Sequence, residues 1–136
     1  MKVRRLYFLI LLCLLLTGAC TRNDGDIGRQ FGLWKLVSVT RAGVDDPSYE
    51  GNVFWAFQNN TIEMKEVQAD NVVYQSFGSY RIEDNTLFLS FTDPDFPPRP
   101  VTGLPRVCEL DILRFTRSEL VLSYQEGTVI YTFHKW

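Results

Sequence analysis

Three tight turns constrain how this chain can pair with itself. Asn59-Asn60, Asp84-Asn85 and Glu126-Gly127 each separate two short runs rich in aromatic and β-branched residues. A two-residue hairpin turn fixes the cross-strand partners of both strands, and side chains along a strand alternate between faces. With Asn59-Asn60 at the tip, Phe57 faces Ile62 and Trp55 faces Met64 on one side. Ala56, Glu63 and Lys65 fall on the other, with Phe54 as an exception. With Asp84-Asn85 at the tip, Ile82 faces Leu87 and Tyr80 faces Leu89, while Ser79, Arg81 and Ser90 lie opposite. With Glu126-Gly127 at the tip, Tyr124 faces Val129, Leu122 faces Tyr131 and Leu120 faces Phe133. Ser123, Thr132 and His134 take the other side. A slip of one residue would invert every side chain, so three turns that each yield an apolar face support these registers.

The same alternation places strands at 33–41, 52–58, 61–67, 72–83, 85–92, 107–116, 119–125 and 128–135. About eight antiparallel strands in simple succession suit an all-β, up-and-down β-barrel, whose interior holds side chains or one small ligand. An open two-layer sandwich is the alternative. Within 107–116, Cys108, Leu110 and Ile112 share one phase and Leu113 and Phe115 the other, which predicts a β-bulge before a turn at Arg117-Ser118. The segment 93–106 carries Pro94, Pro97, Pro98, Pro100 and Pro105 and is excluded from a central strand. It reads either as an extended connection or as a stiff flap near one barrel end.

The N-terminus addresses the chain elsewhere. Lys2, Arg4 and Arg5 precede an apolar run of 11 residues, 6–16, and small residues follow. These are the parts of a secretory signal, and the run is too short for the ~20 residues that cross a bilayer. Leu16-Thr17-Gly18-Ala19-Cys20 resembles a bacterial lipobox, with Thr17 where Leu is usual. The resemblance implies lipidation of Cys20 and cleavage just before it. An ordinary secretory cut after Ala19 would instead leave Cys20 a thiol able to pair with Cys108. The expected organisation is a signal peptide at 1–19, a flexible tether at 20–30 and a barrel domain at 31–136. Asp24 and Asp26 in the tether are a weak form of the acidic export signal of some Bacteroides-type lipoproteins, and a soluble tether is the plainer reading. Removing 1–19, with Lys2, Arg4 and Arg5, deepens the formal charge from −2 to −5. An acidic chain argues against nucleic acid as a partner. There is no basic cluster to hold an anionic membrane, so membrane attachment rests on the lipid anchor.

Gly32-Leu33-Trp34 opens the first strand with the G-x-W pattern of lipocalins. With Trp34-Lys35-Leu36-Val37-Ser38, Gly78-Ser79-Tyr80-Arg81-Ile82 and Asn85-Thr86-Leu87, the chain is similar to the lipocalin-like domains of small Bacteroides-type envelope lipoproteins. So are Ile112 to Thr116 and the pattern from Leu120 to Phe133. Many families of that group are domains of unknown function. The resemblance implies that Trp34 closes the barrel floor under a cation from the last strand. Lys135 has the parity to supply it, as Lys where Arg is usual. Both roles are structural.

Catalytic chemistry is hard to find. His134 is the single histidine and falls on the polar face. No zinc ligand cluster or phosphate-binding loop is recognisable. Asp45-Asp46 and Asp93-Pro94-Asp95 read as turn residues rather than calcium ligands. Glu109 and Asp111 share a strand face and read as a solvated edge, although two carboxylates could serve acid–base work. The chain is therefore read as non-enzymatic, with no catalytic residue, no metal site and no cofactor. Tyr80, Tyr124 and Tyr131 point inward in these registers. With Trp55, Phe57, Ile62, Met64, Leu89 and Leu122 they describe either a site for a small apolar molecule or a filled core. Two functions follow. One is an outer-membrane lipoprotein that binds a small apolar molecule in its barrel. The other is an interaction module, an inhibitor or accessory subunit of an envelope complex, that docks a protein through outward Phe54, Phe88, Val121 and Ile130.

Overall fold

The computed structural model describes residues 28–93 and 102–136. The expected signal peptide, the lipidation site Cys20, most of the tether and positions 94–101 of the proline-rich segment lie outside the described residues. The strands are β1 (Gly32–Arg41), β2 (Val44–Asp45), β3 (Val53–Gln58), β4 (Thr61–Val67), β5 (Val73–Glu83), β6 (Thr86–Phe91), β7 (Val107–Phe115), β8 (Glu119–Tyr124) and β9 (Val129–Lys135). From β3 to β9 each strand pairs antiparallel with the next. β1 pairs with both β3 and β9, which closes eight strands into an up-and-down barrel. A closed barrel rather than an open sandwich leaves no long unpaired edge.

The expected registers are the observed ones. Phe57 pairs with Ile62 and Trp55 with Met64; Tyr80 pairs with Leu89; Leu122 pairs with Tyr131 and Leu120 with Phe133. The turns carry the left-handed backbone that such hairpins require, with φ of 59° at Asn59, 53° at Asp84, 54° at Glu126 and 88° at Gly127. The bulge expected in β7 falls between Ile112 and Arg114. Leu113 is the extra residue, turned outward and 57% exposed, so Phe115 returns to the inner phase.

Two features were not expected. β2 is a ninth strand, two residues long, that folds back on the end of β1 across Ala42-Gly43. It is too short to show any alternation. β1 also carries a bulge, between Leu36 and Ser38. On its other side β1 stays with β3 only from Gly32 to Lys35, and Tyr49 seals the seam beyond. Its hydroxyl donates to Leu36 O at 2.6 Å and accepts from Val53 N at 3.3 Å.

The apolar faces meet in one core along the barrel axis. β5 and β6 approach closely at Gly78, where a Cβ would sit 2.5 Å from Ser90 O. Only glycine fits there.

Candidate functional site

The two ends of the barrel are built differently. At the floor, Trp34 is fully buried. Its Nε1 donates to Gln30 O at 2.8 Å. Lys135 Nζ lies 4.5 Å from the Trp34 ring centroid. The ammonium also donates to Phe31 O, and to Arg29 O at 3.3 Å. Partial burial lowers the Lys135 pKa from its ordinary value. A cation over an indole contributes about 0.5–2 kcal/mol, depending on its exposure. The segment before β1 is thus bound across the floor by the last strand. Tyr80 is held there as well, beside the Gln30 side chain, and burial raises its pKa.

Above the floor stands an aromatic layer. Trp55 lies with its ring 4.5 Å from Phe133 and 6.3 Å from Phe57, and Phe57 lies 4.9 Å from Tyr80. Trp34, Trp55, Ile62, Leu122, Tyr131 and Phe133 have no exposed surface, so no water-sized gap touches them. Of the sequence-predicted lining residues, Trp55, Phe57, Met64, Tyr80, Leu89, Leu122 and Tyr131 are buried inside the barrel. Tyr124 is half-buried and packs against the same core. One atom in this layer is out of balance. Trp55 Nε1 is buried and has no hydrogen-bond partner among the described residues. A buried donor left unpaired costs about 1–3 kcal/mol.

At the mouth, the far end of the proline-rich segment turns into the barrel. Leu104 is 2% exposed and joins the core, and Thr102 is buried beside it. The Tyr131 hydroxyl donates to Thr102 O. Arg41 flanks this strip. A Cβ on Gly103 would lie 3.8 Å from its guanidinium nitrogens, and Arg41 Nε pairs with Asp46 at 3.1 Å. Hydrogen bonds from the Ser48 hydroxyl and backbone, then Arg41, lower the Asp46 pKa. Asp46 is thus a turn and ion-pair residue. Burial raises the Tyr131 pKa against the opposing charge of Arg41, and pushes the Cys108 thiol up to about 11. A neutral, 7% exposed thiol is an apolar packing group rather than a nucleophile.

Sequence reasoning missed Gln30, Tyr49, Thr102 and Leu104. None belongs to an alternating run, and Leu104 stands alone between Gly103 and Pro105. The outward residues lie half-buried. Phe54 packs edge-on to Trp136 with a ring-centroid separation of 5.7 Å, and the Arg81 guanidinium lies 3.9 Å from the Phe88 centroid. A depression of about 240 Å³ lies over β5, β6 and β7. Ser79, Arg81, Phe88, Ser90, Val107 and Glu109 in its lining have outward parity, which puts it on the outer wall rather than in the lumen. His134, Glu109 and Asp111 are exposed, and the described residues contain no cluster of three metal-ligating side chains.

This architecture is shared. A lipocalin-like protein from Bacteroides uniformis superposes with a TM-score of 0.68 at 21% identity, over 80% of this chain and 100% of its own. An uncharacterized protein from Bacteroides eggerthii superposes at 0.66 with 14% identity, over 79% and 99%. At these identities the likeness concerns the fold alone. No curated protein matches the chain. The lipocalin-like domain model matches residues 13–136, and the chain belongs to that family.

Proposed function

We propose that this protein is a lipid-anchored envelope protein that binds a small apolar molecule in the mouth half of its barrel. The observation that carries the reading is Leu104. One apolar side chain, supplied by an irregular segment rather than a strand, fills the open end of an apolar barrel. Among the described residues, the Tyr131 hydroxyl holds this segment by donating to Thr102 O. The floor half is solid and serves as core. A ligand of similar character would take the place of Leu104, in a site that is mostly apolar with a few convergent hydroxyls, as small-molecule sites are built.

A neutral fluorophore, 1-aminoanthracene, tests this. The expected result is saturable one-to-one binding, tightened about tenfold in Leu104→Ala because the ligand no longer competes with the plug. Absence of saturable binding to both proteins would refute it. The lipid anchor rests on Cys20 and its flanking residues. Treatment of the producing cells with globomycin should accumulate uncut precursor, and unchanged processing would remove the anchor from the proposal.

One observation favours a second reading, a non-enzymatic interaction module. The aromatic layer leaves no water-sized space around Trp34, Trp55 and Phe133, as in a barrel whose interior is only core. Crosslinking in the native envelope that repeatedly recovers one protein partner, together with native mass spectra free of any small molecule, would favour that reading.

A further inference from the structure

One aromatic cluster lies outside the barrel. Trp136 follows β9 and is held to β1 by its backbone N–H, which donates to Leu33 O at 2.9 Å. Its side chain is 71% exposed, the most of any large apolar side chain among the described residues. The ring meets Phe54 edge-on at 5.7 Å, and Lys35 Nζ stands 4.9 Å from the Trp136 centroid and 5.8 Å from that of Phe54. Across the two strands Leu33 pairs with Ala56 and Lys35 with Phe54. These four alternate with inward Trp34 and Trp55, so with Trp136 they form one outward strip beside the floor. The neighbouring carboxylates are engaged by other cations, Glu63 by Lys65 at 2.9 Å and Glu119 by Arg114 at 2.8 Å. The strip thus presents two rings, aliphatic surface and an ammonium group.

We propose that this strip seats the barrel on a lipid bilayer surface, with Trp136 at headgroup level and Lys35 on a lipid phosphate. Its composition suits that occupant. A tryptophan at the membrane boundary has an apolar ring for the acyl side and an N–H for the wet side. A lysine lays its stem along apolar surface and keeps its ammonium among the headgroups. Its place suits the same occupant. The segment entering β1 lies across the floor, where Arg29 O and Phe31 O accept from Lys135 and Gln30 O accepts from Trp34. Only residues 20–27 separate Gly28 from the acylated Cys20, a span of at most about 28 Å. The anchor therefore holds the floor near the bilayer and keeps the strip at high effective concentration beside it, so a weak contact suffices. The other strongly exposed apolar side chains Val44, Val73 and Val107 stand at the mouth ends of their strands. Contact beside the floor leaves the mouth, with Leu104, toward the aqueous side. This rests on the Cys20 anchor proposed above and is independent of the lumen ligand.

Fluorescence tests this because Trp136 is the exposed one of the three tryptophans, while Trp34 and Trp55 are fully buried. The lipidated protein, purified from its own host, is reconstituted into phosphatidylcholine vesicles with plain or brominated acyl chains. Flotation with the vesicles reports the anchor. Quenching by the brominated chains, which acts at contact range, reports the strip. The protein should float, brominated lipid should quench its most red-shifted emission, and Trp136→Phe should lose that quenching. Floating protein whose emission ignores brominated lipid overturns the docking face and leaves the anchor standing, as does quenching that persists in Trp136→Phe. Protection from aqueous acrylamide without lipid quenching would show a second copy of the chain over the strip, which also overturns it. Lys35→Glu keeps every tryptophan and covers the case in which Trp136→Phe fails to fold. Its reversed charge should weaken the quenching, and equal quenching would remove the phosphate contact and the proposal with it. Protein that does not float lacks the anchor, and then anchor and docking face fall together.

Discussion

Replacing Tyr49 with Phe isolates the weakest seam of the barrel. The change removes one oxygen and keeps the ring. That oxygen donates to Leu36 O at 2.6 Å and accepts from Val53 N at 3.3 Å, two backbone groups left without ladder partners where β1 leaves β3. A hydrogen bond contributes about 0.5–1.5 kcal/mol net, and the longer of these two lies at the low end. Leaving both backbone groups unpaired in a half-buried place brings the expected loss to about 2 kcal/mol. With about 0.2 kcal/mol/K of unfolding entropy for a domain near 105 residues, Tm should drop by about 9 °C. Urea titration followed by tryptophan fluorescence measures the loss directly. A second arm uses pH. Burial pushes the Tyr49 pKa from 10.0 up to about 12. The unfolded chain releases this proton first, so the stability it contributes is fully present below pH 10 and is lost as pH rises toward 12. Tyr80 and Tyr131 shift in the same direction, so the difference between wild type and Tyr49→Phe isolates Tyr49. The alkaline limb of the variant should be the shallower one. A loss below about 0.5 kcal/mol with an unchanged alkaline limb would show that the seam does not depend on this hydroxyl.

Other perturbations follow from the same geometry. Lys135→Met removes the cation over Trp34 and the donors to Phe31 and Arg29; a loss of about 1–2 kcal/mol and faster hydrogen exchange at the Trp34 indole are expected. Gly78→Ala drives a Cβ into Ser90 O and Phe91 and should cost about 1–3 kcal/mol in chemical denaturation, as overpacking does. Cys108→Ala removes a thiol whose pKa rises from 9.0 to about 11. That contribution is present below pH 9 and lost by pH 11, so the variant should lose less stability than wild type across that window. Arg81→Ala breaks a pair in which both side chains are 60% exposed and removes the guanidinium over Phe88, so its stability in urea should fall by no more than about 1 kcal/mol, most of it from the ring contact.

The barrel was legible because turn geometry and alternation are local signals that act together. Asn59-Asn60 alone fixes Trp55 opposite Met64, and a face containing Trp55, Phe57, Ile62 and Met64 has no stable place except inside. The same logic located the β7 bulge from the phase conflict between Ile112 and Leu113. What stayed hidden depends on contacts across the chain. Tyr49 gains its role because β1 bulges at Val37 and leaves β3, a consequence of barrel closure that no short window contains. Leu104 lies among prolines and glycine, where no alternation can show which way a side chain turns. Trp55 Nε1, which has no partner among the described residues, depends on which elements surround it in space, and no stretch of sequence contains that.

The difference between the two ends carries a dynamic consequence. Opening the floor would break the Trp34 bond to Gln30, the cation over the indole and strand pairings of β1 and β9 together. Among the described residues, opening the mouth withdraws Leu104 and breaks the Tyr131 bond to Thr102, with no loss of a sheet ladder. Segments held by few backbone bonds open at the low end of the stability range. The seam beyond Lys35, bridged by Tyr49 instead of a ladder, lies in the same half. Motion should therefore concentrate at Thr102, Leu104 and Tyr49, while the aromatic layer around Trp55 exchanges only on global unfolding. Amide exchange at Leu104 as slow as at Leu122 would mean that the plug is part of the core, and the argument for an exchangeable occupant would fail with it.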